Sequence, residues 1–467
     1  MPRARVARSI AYVPLKPYRG VHQAALRHGP VSGGRPVETV RLIDRVIVWL
    51  MLLATVAALT MSAAMLTNWG IHYVTTGGNF YEKLHPATYL ALLALCLLLA
   101  RNGDPVGEID RMFSDAKLVL LYLLSWFALL IQMLVLERPF TAIIDTFLLP
   151  VVLCLIVWRL SPQQRKPLVW GFHLAILLNV VIGYYEYFAG HRLIPLTLGD
   201  VVVTGEWRSS ALLGHPLTAS GLVGGYVLAL TFRPAICPSA VLRLPLIAFC
   251  LGSLMAFGGR TALVTVLLTL GGYAVVEIVR ILRGKRTSLP VAIGAICLLF
   301  VAAAGIFAML DHGTFDKMLL RFSSDKGSAQ ARYATFALLS RFDWHELLLG
   351  PNPARASALQ NQLGLKYGIE DFWIASTVQF GMIHTILLTV GLVGLFAEML
   401  RRANNAAWAI VLLVLVVAAS SVSFSSKNIQ LAQFILLITL LLPRDRRIAA
   451  PLGPASHRGH TSMPAAS

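Results

Sequence analysis

The sequence predicts an all-α polytopic membrane protein, with about 12 transmembrane helices and a long helical loop between helices 9 and 10. Three observations carry that reading. Of 467 residues, 57% are hydrophobic and only 13% charged, and the mean hydropathy is +0.70. Soluble domains carry about 25% charged residues, so a soluble fold of this length could not cover its surface. Apolar runs near 20 residues recur along the whole chain, the length a helix needs to cross about 30 Å of hydrocarbon. Basic residues collect in short segments between those runs. A soluble enzyme, a secreted disulfide scaffold and a disordered chain are excluded.

Residues 1–42 are rich in Pro, Gly and Arg and lack apolar periodicity, so they are expected to form a disordered basic tail. No cleavable signal peptide is evident, because the first apolar run starts late and is too long. Runs follow near 43–66, 86–100, 117–136, 141–159, 167–188, 215–232, 242–257, 261–282, 291–310, 372–399, 405–422 and 429–443. They define one transmembrane domain, 43–443, and leave 444–467 as a second disordered tail. Cys96, Cys154, Cys237, Cys250 and Cys297 lie in or beside apolar runs without a CxxC pair, and read as small buried hydrophobes.

The net charge of +18 could suggest nucleic acid. Its placement argues for lipid headgroups and topology instead. Eight basic residues precede Ile43 against one acid, Glu38. Alternate connections hold Arg101 and Arg111, Arg159 with Arg165 and Lys166, Arg233 with Arg243, Arg280–Arg286, Arg401–Arg402 and Arg444–Arg447. Lys and Arg stay in the cytoplasm, so both termini are expected there. Two outer segments, about 189–214 and 311–371, are too long for simple turns. Ala329–Leu339 within the second has apolar positions at helical spacing. Long ordered loops usually serve function, so the chemistry is expected on the outer face.

Ionisable residues at the membrane edge are costly and become functional candidates by default. Phe257-Gly258-Gly259-Arg260-Thr261-Ala262 puts a guanidinium at the outer end of a crossing. A snorkelling helix anchor would look similar, but the paired glycines permit close backbone approach, as at a ligand site. Glu206-Trp207-Arg208 leads through Gly214-His215-Pro216 into the sixth run; Arg208 is its main candidate and His215 could equally cap a helix. In the long loop, Arg332 opens a helical stretch that leads past Arg341 to the turn Gly350-Pro351-Asn352-Pro353. A solvated surface charge is the alternative for Arg332. Glu370-Asp371 stands where the chain re-enters the membrane, and helix-start acids are commonly caps. Walker A, GxSxG, HExxH and DxD patterns are absent. Several arginines with one acid beside lipid suit a diphosphate, which a guanidinium binds bidentately, and a carboxylate serving as base towards a sugar hydroxyl.

At these residues the sequence resembles the O-antigen ligase and Wzy-type polysaccharide polymerase superfamily, over roughly residues 200–400. Arg260 is similar to that family's arginine at the outer end of a helix. Arg332 through Gly350-Pro351-Asn352-Pro353 resembles its loop motif, and Arg208 to Pro216 its entry to the next helix. The ligases carry a His-Asn pair where this chain has Glu370-Asp371-Phe372-Trp373. That departure is similar to the VpsF-like, xanthan-polymerase-type exopolysaccharide proteins. The resemblance implies a bacterial inner-membrane enzyme with its active site towards the periplasm. It implies transfer of a growing glycan from undecaprenyl diphosphate to a carrier-linked repeat unit, with inversion and with no cofactor or metal. Arg260, Arg332 and Glu370 would be catalytic. Arg208, His215, Asp371 and Arg341 would bind substrate. Partners would be the lipid-linked oligosaccharide, membrane lipid, a flippase and a chain-length co-polymerase, with no nucleic acid. A ligase or a lipid-linked-oligosaccharide transporter is the alternative.

Overall fold

The computed structural model describes residues 37–75, 77–195, 197–198, 201–202, 208–233, 240–284, 328–365, 368–420 and 426–444. Both tails, the apolar run 291–310, Cys237 and Cys297 lie outside them. The described chain is helical apart from an antiparallel ribbon of two-residue strands, Thr197–Leu198 and Val201–Val202, a small departure from the all-α expectation. Among the described residues, six helices are long and apolar enough to cross a membrane. They are α1 (Val37–Thr60), α5 (Lys117–Val135), α6 (Thr141–Arg159), α7 (Pro162–Ala189), α10 (Arg260–Leu282) and α15 (Met382–Arg402). α3 (Pro86–Ala100) and α4 (Pro105–Asp115) meet at 109° and would make a seventh as a bent pair. Four apolar helices are shorter: α8 (Pro216–Phe232), α9 (Ala240–Phe257), α16 (Ala407–Ala418) and α17 (Gln430–Leu441).

Lipid replaces water as the solvent for the bundle's flank, so its exposed face is apolar. Trp49, Phe188 and Leu268 all point outward. The centre is built from α8 and α17, whose residues are nearly all buried. Hydrophobic burial gives little drive between helices in lipid, and close packing through small residues takes its place. Gly221 and Gly225 of α8 face Phe434 of α17, and Gly224 faces Val266 of α10. α15 runs antiparallel to α5, with Gly391 against Ser125 and Gly394 against Leu118.

The expected single crossing over 372–399 is broken. α14 (Phe372–Phe380) and α15 are separated at Gly381, which has φ 87°. A Cβ at Gly381 would stand 2.5 Å from the Leu349 carbonyl carbon and 2.6 Å from the Gly350 nitrogen. The break is where the chain makes room for the loop's backbone. Around it the loop folds as α11 (Ser328–Leu339), α12 (Trp344–Leu349) and α13 (Pro353–Gln362). The predicted helix at Ala329–Leu339 is present, and Asn352 caps α13 after the predicted turn. Leu338, Phe342, Ala356, Leu365, Ile369, Ala375 and Val378 give this part a core of its own.

The two ends of the bundle differ. At one end Arg101 meets Asp44 and Glu108, Arg159 meets Glu108 and Asp115, and Arg402 meets Glu398 and the Asp115 carbonyl. Arg233 reaches the Pro443 carbonyl and Arg444 the Arg401 carbonyl. The arginines of five separate connections are thus gathered there, as the alternation along the sequence requires. The opposite end carries the helical loop, and is called the loop end below.

Candidate functional site

The loop end is assembled by polar groups on helices that are otherwise apolar. On α7, Asn179, Gly183 and Glu186 are spaced four and three residues apart, which aligns them on one face. All three hold the segment 208–213. Leu212 N–H donates to Asn179 Oδ1 at 3.0 Å, and Ser209 Oγ donates to the Gly183 carbonyl at 2.7 Å. Glu186, fully buried, accepts from Ser210 N at 2.8 Å and Ala211 N at 2.9 Å through Oε2, and from Leu193 N at 3.0 Å through Oε1. Buried backbone donors need such acceptors, and Glu186 supplies them on both sides of the excursion. Arg192 Nε donates to the Arg208 carbonyl at 2.7 Å, so Arg208 is fixed from both flanks.

The same segment lies on the next helix pair. Ser209 N–H donates to the Ala256 carbonyl at the end of α9. Gly214, at φ 73°, packs on Ser62 just beyond α1. His215 caps α8, with Nδ1 accepting from Leu217 N at 3.3 Å, which leaves Nε2 to carry the proton of the neutral ring. Desolvation, then the guanidiniums of Arg208 and Arg192, hold this imidazole below its usual range. The ring itself is exposed, so desolvation is the weaker cause and the two guanidiniums, partly screened by water, are the firmer one.

Arg260 is the first residue of α10, after Gly259. A Cβ on Gly259 would fall 2.2 Å from Ser220 Oγ, and that hydroxyl donates to the Gly259 carbonyl at 3.3 Å. The glycine therefore lets the start of α10 lie against the first turns of α8. Arg208, His215 and Arg260 come to one place, where the N-termini of two helices of 17 and 23 residues converge. Helix N-termini carry partial positive charge and favour anions.

The loop candidates arrive at the same end on other elements. Asp371 caps α14, accepting from Ile374 N at 2.8 Å. Phe372 packs edge-on against Phe147 of α6 at 6.4 Å, while Ile369 belongs to the loop's own core. Glu370 and Asp371 therefore sit at the seam between loop and bundle. Arg332 lies on α11, which touches α14. Arg341 is exposed beyond the end of α11, and its carbonyl accepts from Arg355 Nη2 at 3.2 Å. The structure thus groups Arg208, His215 and Arg260 and places Glu370 and Asp371 at the seam. Arg341 stands apart.

Sequence reasoning passed over a second polar cluster. α6 contains a π-helical turn, Ile144–Leu148, a form frequent at functional sites. In it Asp145, fully buried, accepts from Thr88 Oγ1 at 2.6 Å and from His85 N at 3.1 Å. Nearby, Lys427 donates to the carbonyls of Tyr73, at 2.8 Å, and Lys83, and lies 4.0 Å over the Tyr73 ring. Asp145, like Glu186, is a carboxylate inside an apolar run, and that signal was available in the sequence. Among the described residues no group of three His, Cys, Asp or Glu side chains comes together as a metal site. Cys154 and Cys250 are buried free thiols as expected, whereas Cys96, on the outward face of α3, is exposed, against the expectation that it would be buried.

No known protein family matches this chain, and neither does any curated protein or solved structure with which it was compared. What fold and composition define is a polytopic helical membrane protein with an arginine-bearing site at one end of its bundle.

Proposed function

We propose that the chain is an exopolysaccharide polymerase of the bacterial inner membrane. It would cross about twelve times, keep both termini in the cytoplasm and turn its loop end towards the periplasm. Arginine pairing with acids and carbonyls at the opposite end supports that orientation. The observation that carries the functional reading is the convergence of Arg208 and Arg260 on two helix N-termini. That arrangement suits a lipid-linked diphosphate, because forked guanidiniums and helix N-termini both complement phosphate oxygens.

In the reaction a hydroxyl of the carrier-linked repeat attacks the anomeric carbon of the growing chain. The new C–O bond forms as the bond to the diphosphate breaks, and the diphosphate leaves with the electron pair. Arg260 and Arg332, with Arg208, stabilise that charge. Glu370 takes or orients the hydroxyl proton, and one displacement inverts the anomeric configuration. His215 donates from Nε2 to the glycan or its phosphate, and Asp371 holds α14 in place. The test is purified full-length protein in liposomes with a synthetic undecaprenyl-diphosphate-linked repeat, without nucleotide or added metal. A ladder of products is expected. No extension by protein that still melts cooperatively would refute the proposal, and movement of the lipid across the bilayer without extension would identify a flippase.

A further inference from the structure

A second place at the loop end has the features of a binding site. A cleft of about 350 Å³ lies between the bundle and the helical loop. Its bundle wall is the end of α5 and the start of α6, and its loop wall is α13 and the end of α14. Two cations line it, Arg138 and Lys427, and no carboxylate does. Each is held by backbone carbonyls and not by an acid. Arg138 Nη1 donates to Gln379 O at 2.7 Å and Nη2 to Pro351 O at 2.9 Å, while Lys427 hangs from Tyr73 and Lys83. Among the described residues neither has a carboxylate within salt-bridge distance, although buried Asp145 is close enough to Lys427 to act on it through space. Ser357 and Gln360 on α13 add neutral hydrogen-bonding groups, and Phe147 and Phe380 add apolar surface.

The position narrows the occupant. The cleft lies at the ends of α5 and α6, two helices apolar enough to cross a membrane. Two cations without a paired acid suit an anion with more than one charge, amide and hydroxyl walls suit sugar hydroxyls, and aromatic surface suits a sugar face or the first units of a hydrocarbon tail. We infer that this cleft between the α5–α6 corner and α13 binds a second polyprenyl-diphosphate-linked saccharide, distinct from the one held at Arg208 and Arg260. The inference rests on the polymerase reading, in which two carriers must be bound at once. The ammonium of Lys427 is suited to the task at neutral pH. Burial lowers it to about 8, with Asp145 pulling it up and Lys83 pushing it further down, and Arg138 lines the same cleft. It is therefore a cation at pH 7 that water solvates poorly and that a phosphate would hold.

The test counts undecaprenyl diphosphate bound to the full-length protein in nanodiscs. Wild type should saturate at two per chain. Lys427→Gln with Gln360→Glu removes the cleft's positive balance without touching the Arg138 contacts, and should leave one. Arg260→Ala should also leave one. One molecule per wild-type chain, or two retained by the double variant, would overturn the inference. A photoreactive benzoylphenylalanine in place of Ser357 keeps the question open to refutation if the double variant misfolds. It should crosslink to the diphosphate lipid, and failure to do so counts against the cleft. Displacement by excess phosphatidylglycerol or by inorganic pyrophosphate alone would reduce the cleft to a generic anion site, contrary to the inference. The two proposals fail separately. Two bound lipids without a product ladder remove the polymerase and keep the cleft. A ladder with one site, sensitive only to Arg260, does the reverse.

Discussion

The two ends of the bundle handle positive charge differently. At the arginine end, Glu108 is 1% exposed and takes Arg159 at 2.6 Å, Arg111 at 3.3 Å and Arg101 at 3.7 Å. Glu398, 2% exposed, takes Arg402 at 2.7 Å. Those arginines have acids of their own, and their work is to tie neighbouring connections together. At the loop end, Arg138 and Lys427 rest on carbonyls, which orient a cation without cancelling it. Among the described residues, the acid–base pairs His72–Glu82 and Arg355–Glu346 at that end are at the surface. A cation held by carbonyls without a paired acid is open to an anion, which is what the inferred cleft site requires.

If that contrast is functional, substitutions at the two ends should separate activity from stability. The largest effect is expected at the loop end: Arg260→Ala and Arg332→Ala should each abolish polymer while membrane insertion and melting are retained. Lysine at either position should rescue poorly for want of the bidentate fork. Equal activity in the lysine variants would make these residues generic charges. Next comes Glu370→Gln, expected to slow turnover about 100- to 10,000-fold with donor binding little changed.

At the arginine end the order inverts. Glu108→Gln removes the buried acid that three arginines share, leaving Arg101 with Asp44 and Arg159 with Asp115, and should lower unfolding stability by about 2 kcal/mol. This is below the figure for fully buried pairs, because the arginines are partly exposed. Turnover per folded molecule should be unchanged, and a turnover defect without a stability loss would erase the contrast. A smaller effect is expected with pH. Lys427 is a cation below about 8, so diphosphate binding in the cleft should be full at pH 7 and fall as pH rises through 8. In Lys427→Gln that dependence should vanish. The group's own stability term has the opposite sense: its folded value is depressed, so its contribution improves as pH rises from about 8 towards the unfolded value. Smallest is Asp371→Asn, which keeps a capping side chain at α14 and should cost about 1 kcal/mol or less. If Asp371→Asn and Glu370→Gln exchange phenotypes, the capping acid is the working one.

How much of this could be read from the chain depends on the range of each signal. Apolar runs are local, and α3, α5, α6, α8, α9 and α10 fall on them within a few residues. The glycines before Arg260 announced a close approach, and Ser220 is what comes close. His215 and Asp371 show the capping geometry that their positions before a helix allow. The break at Gly381 was not legible, because its cause is Gly350, thirty-one residues away in the chain and in backbone contact in space. The roles of Glu186 and Asn179 were hidden for a similar reason. Their residue types were visible inside an apolar run, but their partners are backbone N–H groups, which no residue letter reveals. Arg138 likewise reads as an ordinary charge at a helix end until the loop closes over it.

Glu186 also bears on how the chain enters the bilayer. A carboxylate near the middle of a transmembrane helix costs roughly 2.5–3.5 kcal/mol to insert. Glu186 lies near the end of α7, where the cost is lower, yet it finishes fully buried. Two of its three donors, Ser210 and Ala211, leave the ribosome twenty-four and twenty-five residues later. Until that later segment has been made, the Glu186 side chain lacks two of the donors it has in the folded protein. Ser209 can then close on Gly183 and Leu212 on Asn179 in the same movement. The burial of Glu186 and the shape of the Arg208 segment are therefore coupled, because the same hydrogen bonds secure both.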